Sequence, residues 1–207
     1  IIFFFNPYPI QNKYLEKYIR NNSSVNQFLY YIYRANKYLP KSNNFLFNIN
    51  TLIKHPPNER DLKGIFYKVP SQLKFNSDDN DNAGIILKSK NIDINKKFIC
   101  VNVRDSAYKK KYQPHLNDYL LSTRNADINN YISAIKYFLE NDFIVYRMGK
   151  VVESSLNINH PYFVDYPFSN IQSDFMDIWL FSNCYAAFTC DSGMYAFSEI
   201  SRKPIIQ

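Results

Sequence analysis

The stretch "DINNYISAIKYFLENDFIVYRMG", residues 127–149, places a helix pattern directly before a strand pattern. Asp127 can cap the helix, and apolar residues then recur every three or four positions, which puts them on one helical face. These residues are Ile128, Tyr131, Ile132, Ile135, Phe138 and Leu139. The following "FIVYRMG" is apolar and closes on Gly149, which is typical of a buried strand. The stretch therefore predicts a helix that packs on a sheet and leads into one of its strands.

The same alternation continues on both sides of this stretch. Further strands are predicted in "KFICVNV" (97–103), "YFVDY" (162–166), "YAAFTC" (185–190) and "KPIIQ" (203–207). Further helices are predicted in "SDFMDIWLFSNC" (173–184), with Ser173 as its cap, and in "SGMYAFSEIS" (192–201). Alternating strands and helices predict a parallel sheet with right-handed crossovers, so residues 96–207 are expected to form a Rossmann-like α/β domain.

The first half of the chain has a less regular pattern. "IIFFF" predicts a strand, "QNKYLEKYIRNN" (11–22) and "VNQFLYYIYRANKYL" (25–39) predict helices, and "NNFLFNINTLI" fits either. "SDDNDNAG" (77–84) is polar and predicts a loop or linker. We place a domain boundary near residue 95, with a smaller or partial α/β domain in residues 1–95. The missing initiator Met and the ending "RKPIIQ" lead us to expect a portion of a longer protein.

Composition narrows the class of protein. Hydrophobic residues make up 46% and aromatic residues 17%, which excludes a disordered chain. Lys and Arg exceed Asp and Glu by 25 to 18, and a net charge of +7 suits an anionic partner. The three cysteines have no metal-binding spacing, and free thiols favour a reducing compartment. Because no signal peptide or membrane span is evident, we expect a cytoplasmic protein.

Polar residues follow each of the four main predicted strands of the second half. They are Arg104 and Asp105, Arg147 and Gly149, Asp165 and Tyr166, and Asp191, Ser192 and Gly193. Because parallel strands end at one edge of their sheet, we expect these residues to lie close together. Two arginines beside a helix N-terminus provide forked donors and free amides, which favour phosphate. The pattern therefore predicts a diphosphate site.

Some of these residues admit other interpretations. Ser192 could be a nucleophile, but "FTCDSG" lacks the first glycine of a nucleophile elbow, and nothing places His115 or His160 beside it. An ordinary helix cap is the alternative interpretation of Ser192 and Gly193. Asp174 and Asp177 share one side of a helix, where Asp177 could contact a ligand or solvent. Since no Asp-x-Asp pair occurs at the strand ends, we expect no metal dependence.

Three segments together carry a resemblance to a known family. "VNVRDSAY" (101–108), "STRNADINNYISAIKYFLENDFIVYRMGK" (122–150) and "VDYPFSNIQSDFMDIWLFSNCYAAFTCDSGMYAFSEISRKPII" (164–206) resemble a bacterial surface-polysaccharide glycosyltransferase family. It is of the two-Rossmann-domain (GT-B) type and similar to the fucosyltransferase-like branch. The likeness covers about residues 97–207. The first motif lacks the His-x-Arg of many fucosyltransferases, so donor identity does not transfer.

The resemblance implies metal-independent sugar transfer from a nucleotide diphosphate sugar to a glycan or lipid-linked acceptor, with no separate cofactor. Residues 1–95 would form the acceptor side. Arg104 would hold the diphosphate. Independently of the resemblance, we expect Asp105 to be the general base for the acceptor hydroxyl, with His115 as the second candidate. The other donor-site residues would be Arg147, Gly149, Asp165, Tyr166, Asp177, Asp191, Ser192 and Gly193. A lipid-linked acceptor would draw this basic protein to the inner face of the cell membrane.

Two other classes compete with an enzyme. A non-catalytic nucleotide- or glycan-binding module would keep the crevice without a working base. Nucleic-acid binding is suggested by the net charge of +7 and the eighteen tyrosines, since aromatic rings between basic residues can stack on bases. The tyrosines fall on predicted core faces, however, and no nucleic-acid-binding motif occurs, so we expect no nucleic-acid partner.

Overall fold

The computed structural model describes residues 2–3, 10–36, 38, 68–71, 73–112, 114, 123, 125–190 and 192–207. The chain divides into two compact units, Ile1–Val69 and Pro70–Gln207. The first unit contains β1 (Ile2–Phe3), α1 (Lys13–Asn22), β2 (Ser24–Val25) and α2 (Phe28–Asn36). Strand β1 pairs in parallel with β2. The predicted helices in this half are therefore confirmed, while "NNFLFNINTLI" lies outside the described residues.

The second unit alternates helices and strands along the chain. In order, it contains α3 (Ser77–Lys88), β3 (Phe98–Asn102), α4 (Ala107–Tyr112), a 3₁₀ turn (Ile128–Tyr131) running into α5 (Ile132–Glu140), β4 (Ile144–Arg147), β5 (Phe163–Asp165), a 3₁₀ turn (Tyr166–Phe168), α6 (Asp174–Asn183), β6 (Ala186–Thr189), α7 (Tyr195–Ile200) and β7 (Ile205–Ile206). The predicted strands are all present, and Asp127 and Ser173 cap their helices as expected.

The five strands of the second unit form one parallel sheet in the order β5-β4-β3-β6-β7. The chain first moves outward from β3 through β4 to β5. It then crosses back to add β6 on the other side of β3, and β7 beyond it. The strand order therefore reverses between β3 and β6. The fold is α/β with a Rossmann-like sheet, as predicted.

Each face of the sheet builds its own core because side chains alternate along a strand. Phe98, Cys100 and Tyr146 face one core, which includes Trp179 and Phe181 of α6. The opposite core contains Ile99, Val101 and Val145 with Ile135 and Leu139 of α5. Burial on both faces explains why these strands are continuous apolar runs, as is usual for parallel sheets.

Residues 77–84, predicted as a loop or linker, are helical. Asn76 and Asp79 form a capping box, in which the Asn76 side chain accepts from the Asp79 amide at 2.7 Å. Ala83, Gly84 and Leu87 are buried, and Trp179 Nε1 donates to Asn80 Oδ1 at 3.0 Å. The prediction was wrong because the polar residues occupy the cap and exposed face. The predicted boundary near residue 95 would separate α3 from its own unit.

Two other predictions about helices need correction. The helix predicted over residues 192–201 is only Tyr195–Ile200, preceded by Met194, so Ser192 is not its N-cap. The polar segment 104–126 contains a short helix, α4, that its charges had obscured. Among the described residues, no helix is both long and apolar enough to cross a membrane.

Candidate functional site

The strand order reverses between β3 and β6, and the position beyond their carboxyl ends, where open α/β sheets bind ligands, is here called the crevice. Asn102 Nδ2 donates to Ser192 Oγ, and the Arg104 amide donates to Cys190 Sγ at 2.9 Å. The Cys190 amide in turn donates to the Asn102 carbonyl at 3.2 Å. The loops after the two strands are therefore tied together at the place where open α/β sheets bind ligands.

Arg104 and Ser192, both predicted site residues, lie at this crevice. Both are half-buried, and the Arg104 guanidinium has no hydrogen bond or ion pair with any residue that the structure describes. Gly193 follows Ser192 and is exposed, with open space where a Cβ would stand. The two loops therefore carry an arginine and a serine that are only partly buried.

A cleft of about 500 Å³ opens where β3 ends and reaches the start of the 3₁₀ turn at Ile128. Its volume is within the range of small-molecule sites. Arg104 does not line it, although both of its neighbours in the chain do. Its described lining consists of Val103, Asp105, Ser106, Asn125, Ala126, Asp127, Ile128, Asn129, Glu153 and Ser154.

The three carboxylates of this cleft are held in place by hydrogen bonds. Asp105 accepts the amides of Ala107 at 2.9 Å and Glu153 at 2.8 Å, one on each oxygen. Asp127 accepts the Asn129 amide at 2.9 Å. The Ser106 hydroxyl, helped by Lys110, lowers the pKa of Glu153. Fixed carboxylate oxygens are acceptors, so the cleft favours hydroxyl-bearing ligands over phosphates.

Arg147 and Asp165, also predicted site residues, form an ion pair in which the arginine is buried and the aspartate is half-buried. Arg147 Nη1 lies 3.0 Å from Asp165 Oδ1, and the Leu156 amide donates to Asp165 Oδ2 at 2.8 Å. Arg147 is only 1% exposed. Its register with Val101 puts the pair on the sheet face that carries Val145. The guanidinium has no accessible surface for a phosphate, so the expected diphosphate contact is not supported.

Tyr166 and Asp177 form a second internal pair, in the core on the opposite face. The Tyr166 hydroxyl donates to Asp177 Oδ1 at 2.7 Å. Burial raises the pKa of Asp177 to about 6, although the Tyr166 hydrogen bond and Lys150 act in the other direction. Burial also raises the pKa of Tyr166. Asp177 is 4% exposed, which leaves it little surface for the expected donor contact.

The backbone after β4 has a conformation at residue 149 that requires glycine. Its φ of 149° lies in the region that favours glycine, and a Cβ would stand 2.5 Å from Val152 Cγ1. Gln172 Nε2 donates to the carbonyls of Gly149 and Lys150 at 3.0 Å each, which fixes the turn. These contacts explain the glycine without a ligand.

Two predicted site residues, His115 and Asp191, lie outside the described residues. The sequence reasoning missed Asn102 and Glu153. Asn102 had a signal, since it is the polar residue in the apolar run "FICVNV". Glu153 had no such signal in the sequence, because its partners Ser106 and Lys110 are far from it along the chain.

Among the described residues, no group of three or more His, Cys, Asp or Glu side chains could hold a metal ion. No protein-family model, curated protein or solved structure matches this chain. The geometry of the crevice and cleft is therefore the basis for a functional assignment.

Proposed function

We propose that this protein is a metal-independent glycosyltransferase that takes its donor, a nucleotide diphosphate sugar, in the crevice between β3 and β6. The observation that carries the proposal is the reversal of strand order there, with Arg104 and Ser192 on the two adjoining loops. The acceptor would be a glycan or a lipid-linked sugar. Metal independence follows from the absence of an Asp-x-Asp pair after the strands.

The charges of the surrounding residues predict that the two ends of the donor bind in different places. The diphosphate carries negative charge, so it would lie at Arg104 and the amides near Ser192 and Gly193. It would be repelled by Asp105, Asp127 and Glu153 in the neighbouring cleft. Those carboxylates would instead accept hydrogen bonds from sugar or ribose hydroxyls. The crevice and the cleft together thus suit a ligand that is anionic at one end and hydroxyl-rich at the other.

In sugar transfer, negative charge builds on the departing diphosphate. The guanidinium of Arg104 would stabilise that charge, and removal of one such group typically costs about 3 kcal/mol, roughly a hundredfold in rate. Asp105 is the proposed general base for the acceptor hydroxyl. Both of its oxygens already accept amides, yet each keeps a second lone pair for this role.

The proposal is tested in two steps. The first is a thermal-shift screen with uridine, guanosine, cytidine and adenosine diphosphates, in which the preferred base should raise the melting temperature. The second is mass spectrometry of transfer or donor hydrolysis with the matching sugar nucleotides. Arg104→Ala should lose both signals, whereas Lys136→Ala, which removes a charge from the exposed side of α5, should keep them. Unchanged turnover in Arg104→Ala would refute the site.

A non-catalytic nucleotide- or glycan-binding module is the second candidate. It is favoured by the contacts of Asp105, whose two amide bonds already give this carboxylate a structural task between α4 and residue 153. A nucleoside diphosphate that stabilises the chain without turnover of any donor would support this module instead.

A further inference from the structure

The net positive charge of this protein comes from one of its two units. Residues 1–69 contain ten Lys and Arg but only three Asp and Glu, whereas residues 70–207 contain fifteen of each. The whole excess of +7 therefore belongs to the first unit, and the second unit is neutral. A charge concentrated in this way points to an anionic partner for the first unit in particular.

Helix α2 of the first unit exposes an apolar stripe. Phe28 is 66% exposed, Tyr31 65% and Ile32 49%, and Ala35 is exposed as well. Their spacing of three, four and seven residues places them along one face of the helix. Large apolar residues that are exposed together, rather than singly, indicate a surface that meets another body.

Both described helices of the first unit carry basic residues, and α2 itself has no acidic residue. Arg34 lies in the last turn of α2, where its Nη1 donates to the Tyr30 hydroxyl at 3.1 Å. On α1, Lys13 and Lys17 are exposed one turn apart. In the described part of the first unit, Glu16 is the sole acidic residue, and it pairs with Arg20 at 2.8 Å.

We propose that α2 lies in the interface of an anionic lipid surface, with Phe28, Tyr31 and Ile32 inserted among the acyl chains. An apolar helix face in a unit of net positive charge is a combination by which proteins bind such surfaces. A second copy of this chain fits less well, since two units of like charge would repel each other. Nucleic acid also fits less well, because Ile32 and Ala35 in the stripe cannot stack on bases. The inference does not depend on the transferase activity.

The first experiment is co-sedimentation of the full chain with two kinds of vesicle. We expect it to pellet with vesicles of equal parts phosphatidylcholine and phosphatidylglycerol and to stay in solution with pure phosphatidylcholine. Added salt should weaken the binding, because it screens the charges. Absence of binding to the mixed vesicles, with or without salt, would overturn the proposal.

Paired variants locate the surface. Replacement of both Phe28→Ser and Ile32→Ser should lower the vesicle affinity by about tenfold, since two inserted apolar side chains are lost. The matched control carries Tyr137→Ser and Phe168→Ser, two residues of the second unit that are 61% and 58% exposed. It should bind as the unchanged protein does. Equal losses in both pairs would show that α2 is not the binding face.

A charge reversal gives an independent test that leaves the apolar stripe intact. Lys17→Glu in the first unit should weaken binding to the mixed vesicles by about tenfold, whereas Lys136→Glu in the second unit should leave it unchanged.

Two other results would also overturn the proposal. One is self-association that Phe28→Ser abolishes, and the other is tight binding to a single-stranded oligonucleotide without binding to vesicles.

Discussion

The two halves of the sheet's carboxyl edge use similar residues in different ways. At the ends of β4 and β5, Arg147 is buried and binds Asp165, which is half-buried. At the ends of β3 and β6, Arg104 and Ser192 are half-buried on loops that flank a crevice. The position of a polar residue after a strand therefore shows that it can reach the edge, but it does not show whether a ligand can reach the residue.

The physical cause of this difference is the path of the chain. After β4 the chain folds over the sheet, and Leu156 and Ile158 pack into the same core as Val145. Arg147 lies on that face, between its neighbours on β3 and β5, so it is covered on all sides. After β3 and β6 the chain packs on opposite faces of the sheet, and this is the position at which open α/β sheets bind ligands.

The largest effect is expected from Asp165→Ala, which removes the partner of a buried charge. We expect a loss of about 3–5 kcal/mol in the free energy of unfolding, measured by chemical denaturation, because Arg147 would be left unpaired in the core. A double variant with Arg147→Met and Asp165→Leu should recover most of it. A small loss in Asp165→Ala would mean that water reaches Arg147 and that the two halves of the edge differ less than the structure indicates.

Arg104→Ala should give the opposite result. The free energy of unfolding should change by no more than about 0.5 kcal/mol, since no described residue pairs with this guanidinium. The transfer rate should nevertheless fall roughly a hundredfold, equivalent to about 3 kcal/mol. Denaturation and rate measurements on one preparation check both. A large loss of stability without a loss of rate would place Arg104 with the structural residues.

Asp177→Asn should change how stability depends on pH. The pKa of Asp177 in the folded chain is about 6, above its ordinary value of 3.8. The stability that comes from its protonated form is complete below about pH 4 and is lost as pH rises through 6. The variant has no carboxyl proton to lose. Its free energy of unfolding should therefore rise relative to that of the unchanged protein between pH 4 and 7, by about 1–3 kcal/mol.

The control for this experiment is Asp81→Asn, which alters an exposed carboxyl on α3. It should follow the unchanged protein across the same range of pH. If the stability of Asp177→Asn depends on pH as that of the unchanged protein does, the carboxyl of Asp177 is better hydrated than its burial indicates.

Ser192→Ala should give the smallest effect. It removes the hydroxyl that accepts from Asn102 Nδ2, and we expect a loss of about 1 kcal/mol in the free energy of unfolding. Calorimetry should also show weaker binding of the preferred nucleoside diphosphate. Ser155→Ala, at an exposed position, is the matched control. Unchanged binding in Ser192→Ala would exclude this hydroxyl from the diphosphate site.

Much of the fold was predictable because its signals are local. The strands at 97–103 and 185–190 follow from apolar runs, and the caps Asp127 and Ser173 follow from their positions before periodic helices. Helix α3 was missed because its first six residues are all polar, so its capping box resembled a linker. Of the candidate site residues, the sequence pointed to Arg104 and Ser192. It could not show that these two are partly exposed while Arg147 and Asp177 are buried.

The sequence by itself determined the α/β class, the polar residues at the strand ends and the net charge of +7. These properties depend on residue type and short-range spacing, which the chain carries before it folds. Only the tertiary structure decided which polar groups bind each other, because such pairs join distant positions. Asp165 lies 18 residues from Arg147, Glu153 lies 47 from Ser106, and Ser192 lies 90 from Asn102.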